Sequence, residues 1–326
     1  MHARTFVHPP QCHGGRPHRV AQAAALATYR ALCWVVVLLP GVTGAHVINP
    51  SSPQPSWLSW SFDPLVLCAL SASLGLYALG YRRLRWRSLA RAHTRRDRQA
   101  AAFLGGWSLL VVALVSPLDR LGATLFSAHM VQHELLMIAA APLLVLGRPL
   151  GVWVWALPPR WRKRVGNVAH WRPLKATWRA MVAPVGAWLL HAAALWLWHM
   201  PALFHGALLH PWLHTLQHTS FLASALLFWW TIFRHPGGAA MLSLFTTMVH
   251  TGALGALLTL SPGLWYPLYV EPTAALGFDP LQDQQMGGLV MWVPGGVAYM
   301  VSALALALRW LNEKHVVSAA PTPDVP

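Results

Sequence analysis

Seven apolar stretches divide this sequence, and strongly basic connections separate them at every second boundary. The stretches lie near 62–81, 100–116, 125–147, 181–201, 212–233, 239–260 and 284–310. About 20 predominantly apolar residues make one helical crossing of a bilayer, so stretches of this length read as transmembrane helices. The expected fold is all-α: a polytopic membrane helix bundle, with seven transmembrane helices over 62–312. Composition agrees, since the chain is 56% hydrophobic and only 10% charged, the balance of a protein whose apolar surface faces lipid as well as a core.

The basic residues test this division. Eight arginines lie between the first and second stretches, from Arg82 to Arg98. Eight Lys and Arg lie between the third and fourth, from Arg148 to Arg179. Arg234 follows the fifth stretch, and Arg309 and Lys314 close the seventh. These alternate connections hold 19 of the 24 basic residues, four more precede residue 31, and only Arg120 falls on the opposite side. The positive-inside rule places the basic connections in the cytoplasm. The protein is therefore expected in a bacterial cell membrane, with the mature N-terminus outside and the C-terminus inside. The net charge of +15 is explained by this topology, so the lipid bilayer is the expected partner and nucleic acid is not.

Residues 1–45 combine a basic region, a short apolar core (31–39) and a small-residue end at Thr43-Gly44-Ala45. They read as a secretory signal peptide or an extra N-terminal helix. Residues 46–61, rich in Pro and Ser, read as an extracytoplasmic linker, and 313–326 as a cytoplasmic tail. Cys12, Cys33 and Cys68 have no ligand spacing and read as inert thiols.

The chemistry of the chain is in its histidines. His129 and His133 open the third stretch four residues apart, and His214 and His218 repeat the spelling His-x-x-Gln-His at the fifth. Side chains at i and i+4 share a helix face, so each pair can point at one ion. With the topology above, both pairs lie in the outer turns of helices running inward, at matching depth. His199 ends the fourth stretch on the same side, His191 lies two turns deeper, and His250 lies near the middle of the sixth. Ionisable side chains within spans usually face the bundle interior or a water-filled path. The expected metal ligands are His129, His133, His214 and His218, flanked by His199 and His250. Asp119, Asp283, Gln132 and Gln217 are candidates to orient them. Imidazole suits copper, zinc, iron and nickel, and Met130, Met137 and Met200 add soft sulfur, though packing accounts for a methionine as readily. Glu134, about 100° round the helix from His133, does not fully share the face of His129 and His133 and stays unassigned between another helix and a proton path. The tryptophans read as interfacial and packing residues, and Gly252-x-x-Gly255, Gly287-Gly288 and Pro294-Gly295-Gly296 as close helix packing or a hinge.

Several motifs in order resemble one known family. They are Ser116-Pro117-Leu118-Asp119 leading into Leu125-Phe126-Ser127-Ala128-His129-Met130-Val131-Gln132-His133, then Trp198-His199-Met200-Pro201, His214-Thr215-Leu216-Gln217-His218, Met248-Val249-His250-Thr251-Gly252 and Asp283-Gln284-Gln285-Met286-Gly287-Gly288. Over residues 60–312 the chain is similar to the CtaG assembly factors of caa-type cytochrome c oxidase. It does not resemble the single-span copper chaperone with paired cysteines that shares that name. The resemblance implies a seven-helix membrane protein that serves cytochrome c oxidase subunits, by helping to deliver or insert copper. The ligand assignment rests on spacing and topology, not on the family.

No nucleophile-plus-base arrangement, phosphate loop or dinucleotide glycine pattern occurs, so no enzymatic activity is expected. The leading expectation is a metallochaperone that binds copper at the outer membrane face. The alternatives are a copper permease, a bis-histidine haem protein and a metal-free assembly scaffold.

Overall fold

The computed structural model describes residues 59–318, with side chains to 312. The expected signal or extra helix, nearly all of the 46–61 linker, the side chains of the 313–326 tail, and Cys12 and Cys33 lie outside the described residues.

All seven apolar stretches are helical. In chain order the α-helices are α1 (Pro64–Trp86), α2 (His93–Leu114), α3 (Pro117–Gly122), α4 (Phe126–Gly147), α5 (Pro149–Ala156), α6 (Pro159–Ala169), α7 (Arg172–Met181), α8 (Pro184–His199), α9 (Pro201–Leu209), α10 (Pro211–Arg234), α11 (Gly238–Thr259), α12 (Val270–Ala275) and α13 (Pro280–Ser318). Proline opens eight of them: its φ is already helical and its missing N–H is one the first turn would leave unpaired. Side-chain caps reinforce three of these starts, one of them that of α13, where Asp279 accepts from Gln282 N at 2.8 Å. Asp63 accepts from Leu65 N at 2.8 Å and Val66 N at 3.2 Å, and Ser116 accepts from Leu118 N at 3.2 Å.

Four helices (α1, α4, α11 and α13) are long and apolar enough to cross a membrane on length and composition alone, or five if α7 and α8, bent by 71°, form one broken span. Helices α2 and α10 fall short because of polar content. The first turns of α2 hold Arg95, Arg96, Asp97 and Arg98, and α10 carries His214, Gln217, His218 and Ser224. The basic connection 148–183 is more ordered than its charge suggests. Helix α5 packs on α1, joined to α4 by Arg148 in the left-handed region (φ 50°). Arg83 closes α5 by donating to Ala156 O at 2.6 Å.

Helix α4 is the axis of the molecule, packed by α2, α3, α10 and α13. Its apolar window is 56% buried, against 17–33% in the other three candidate spans. It is also not uniform: Leu135–Ala140 form a π-helix. Pro142 offers no N–H to the Ile138 carbonyl and would crowd it, and a wider turn relieves that conflict. Beside α4, α11 and α13 approach to backbone contact. A Cβ on Gly255 would meet Gly288 O at 2.7 Å, and one on Gly288 would meet Thr259 N at 2.6 Å. The packing reading of these glycines is the one the structure supports.

Candidate metal-binding site

Helix α4 begins without a side-chain cap of its own. Asp283, from the first turn of α13, supplies one: its carboxylate accepts from Phe126 N at 2.6 Å, Ser127 N at 3.3 Å and the Ser127 hydroxyl. A carboxylate there pairs two of the free N–H groups and sits at the positive end of the helix dipole. Gly287, one turn on, admits the Phe126 ring where a Cβ would come within 2.4 Å of it. Phe126, Phe204, Tyr266 and Tyr269 then form an aromatic layer, with Phe204 and Tyr266 ring centres 4.2 Å apart. The first two turns of α4 are thereby locked in place.

Those two turns carry His129 and His133, and α10 brings His214 and His218 against them. Ring centres lie 4.3 Å apart for His129–His133, 4.2 Å for His214–His218, 5.5 Å for His129–His214, 5.7 Å for His129–His218 and 5.1 Å for His133–His218. The last residue of α8, His199, adds a fifth ring 6.1 Å from His133. His129, His214 and His218 each offer a ring nitrogen within 4.8 Å of the others, the one group of three or more potential ligands among the described residues.

Donors are available here. His129, His133 and His199 are 1–2% exposed and His218 8%. Even so, His129 Nε2, both nitrogens of His133, His199 Nε2 and His218 Nε2 have no hydrogen-bond partner. Buried polar atoms are almost always paired, so this many unpaired nitrogens facing one another mark a place for a shared partner. Two of the rings have their tautomer set. His129 Nδ1 lies 3.3 Å from Gly122 O, and His199 Nδ1 2.6 Å from Leu195 O. Donating Nδ1–H to a carbonyl leaves the Nε2 lone pair for an ion, the usual arrangement of metal-binding histidines. Tyr269, absent from the sequence-based set, donates to the same Gly122 carbonyl at 2.8 Å and lies 3.3 Å from His129 Nδ1. A small cleft lined by Asp119, Gly122, Ala123, Ala207, Leu208, His129 and His214 borders this cluster.

The remaining expected residues fall at different distances from it. Gln132 binds Asp119 at 2.9 Å and Ala113 O at 2.7 Å, so it fixes the Asp119 side of the cleft and does not orient an imidazole. Gln217 is fully buried on the His-bearing face of α10, within reach of His129. Asp283 acts on the backbone of α4, not on a ring. His250 stands apart, its ring packed edge-on against Trp188 at 5.7 Å. His191 is a satisfied core histidine, 3.1 Å from Ser224 Oγ and 3.3 Å from the Tyr299 hydroxyl. Met130 and Met137 are core residues and Met200 is half exposed. Glu134 turns away to α13, its Oε2 lying 3.0 Å from where a Gly295 Cβ would be.

The sequence profile of the family described as cytochrome c oxidase caa3 assembly factor (Caa3_CtaG) matches residues 75–313. The chain belongs to the CtaG family. All five clustered histidines, Asp119 and Asp283 lie within the span this CtaG profile covers. Among curated proteins, it is similar to uncharacterized proteins of Mycobacterium bovis and Mycobacterium tuberculosis, each 25% identical over 354 residues covering 97% of this chain and 51% of the relative. An uncharacterized protein of Mycobacterium leprae is 25% identical over 311 residues, covering 92% and 46%. The chain thus spans about half the length of the curated relatives it matches. No solved structure matches this CtaG-family chain.

Proposed function

We propose that this CtaG-family protein is an assembly factor of caa3-type cytochrome c oxidase in a bacterial cell membrane, and that it holds copper transiently for delivery to an oxidase subunit. The observation that carries the metal reading is the set of buried histidines from α4, α8 and α10 with five unpaired ring nitrogens. Imidazole accepts several transition metals, and the family's association with a copper-containing oxidase selects copper among them. Neutral imidazoles exchange one at a time, so a recipient can displace them in sequence without stranding the ion. No hydrolytic or redox step belongs to this role.

In this reading all seven apolar helices cross the membrane. The polar side of α10 turns inward, where Gln217, His218, Ser224 and Thr231 are buried. The charged start of α2 lies on the same side as the basic connections, which sets the histidine cluster toward the outside and the C-terminus in the cytoplasm.

The test is metal content and the visible spectrum of the full chain, purified in detergent, reduced and given Cu(I), beside a His129→Ala/His133→Ala variant. Near-stoichiometric copper in the wild type and loss in the variant, with no haem band, is the expected result. Equal copper in both, or none in either, overturns the copper reading and leaves a metal-free scaffold. A Soret band would select the haem protein.

A further inference from the structure

We infer that the five histidines form two stations for a single Cu(I): an entry station of His129 and His214 on the cleft with His218 beside them, and a sealed station of His133 and His199 behind it. The inference rests on the copper reading above and gives the site a direction.

Three observations separate the stations. First, His129 and His214 line the cleft beside Asp119, whereas His133 and His199 do not. Phe221 covers them instead, its ring centre 4.6 Å from His133 and 5.9 Å from His199. Second, His129, His214 and His218 can bring three nitrogens within 4.8 Å of one another, and His133 and His199 are not in that group. Third, the spacings differ in kind. Two imidazoles bound to one ion through bonds of about 2 Å have ring centres roughly 5.5 Å apart in a trigonal arrangement and about 6.3 Å apart in a linear one. His129 stands 5.5 Å from His214 and 5.7 Å from His218, while His214 and His218 stand 4.2 Å apart, so the three suit a T-shaped three-coordinate ion with the His214–metal–His218 angle closed to about a right angle. His133 and His199 stand 6.1 Å apart, which suits a near-linear pair. Both geometries are ordinary for Cu(I).

His218 joins the two stations, its ring centre 5.7 Å from His129 and 5.1 Å from His133. Transfer would break the bonds from copper to His129 and His214 as bonds to His133 and His199 form, with His218 attached through the exchange and its bond broken last. All donors are neutral, so neither proton nor electron moves and the ion stays Cu(I). Two unit charges this close in a medium of low dielectric repel strongly, so one ion occupies one station at a time.

The test uses the full chain in detergent and reads copper stoichiometry, the Cu(I) X-ray absorption edge, and release to a water-soluble Cu(I) chelator. The 1s→4p edge feature is intense for linear two-coordinate Cu(I) and weaker for three-coordinate Cu(I). The His129→Ala/His214→Ala/His218→Ala variant is expected to keep one copper per chain with a two-coordinate edge. The His133→Ala/His199→Ala variant is expected to keep one copper with a purely three-coordinate edge and to release it at least tenfold faster than wild type. This second variant retains the entry station, so its loading reports that it has folded. Release within twofold of wild type and an unchanged edge would overturn the sealed station while leaving the copper reading intact. A wild type that binds no copper overturns the copper reading, and this inference with it.

Discussion

At the scale of single residues, the candidate site depends on groups that touch no histidine. Asp283 is the clearest. It closes the first turn of α4 from 157 residues away, and it is 8% exposed, so its charge is little screened. Losing a cap costs about 1 kcal/mol, and up to about 2 where the charge is partly buried. Asp283→Ala is accordingly expected to lower the thermal midpoint by several degrees in detergent and to reduce copper loading, as α4 frays at His129. His250→Ala is expected to leave copper loading at the wild-type level, because that ring packs on Trp188 away from the cluster; metal analysis of the purified variant checks this. The two cases show where sequence reasoning stops. The i, i+4 spacing of His129/His133 and His214/His218 places each pair on one helix face, because helical periodicity alone fixes which side chains share a face, and the loop charges set the two pairs at matching depth. The roles of Asp283, Gln132 and Tyr269 depend on which helices become neighbours, and neither spacing nor composition encodes that.

At the scale of elements, proline and apolar length marked nearly every long helix, since both act through the backbone of the segment that carries them. The helices within 148–183 were not foreseen, although the stripe of Arg172, Lys175 and Arg179 opposite Leu174, Trp178 and Met181 in α7 is an amphipathic pattern. The π-helix of α4 had only Pro142 to announce it. The contact between α11 and α13 carries the strongest prediction at this scale. Gly288→Ala would drive a methyl group into Thr259 N and Gly255 O, both under 3 Å away and both backbone-anchored or short. Overpacking of this kind costs about 1–3 kcal/mol. The variant is expected to unfold at lower temperature and to load less copper, since α13 also carries Asp283. Gly75→Ala, with nothing near its Cβ, is the control expected to match wild type in the same melt.

At the scale of the whole molecule, charge is distributed as unevenly as any property of the chain. No Asp or Glu occurs between Glu134 and Glu271, and the one ion pair among the described residues joins Arg85 to Asp97. In the proposed orientation, with the basic connections in the cytoplasm, a reporter active only outside the membrane is expected to work when fused within 202–211 or 261–283, and to fail after residue 312. Activity in the reverse pattern would invert the bundle. The same scarcity of carboxylates bears on the histidine cluster. A site built from neutral rings takes nothing from the charge of the cation it holds, so the loaded protein keeps a full positive charge in its interior. If copper loads as proposed, the complex would be poised to lose its ion to a recipient that offers anionic ligands, because here the neighbouring carboxylate, Asp119, is held by Gln132 at the cleft. The proposed donation would then have a thermodynamic direction set by the choice of imidazole over carboxylate or thiolate as ligand, before any partner has docked.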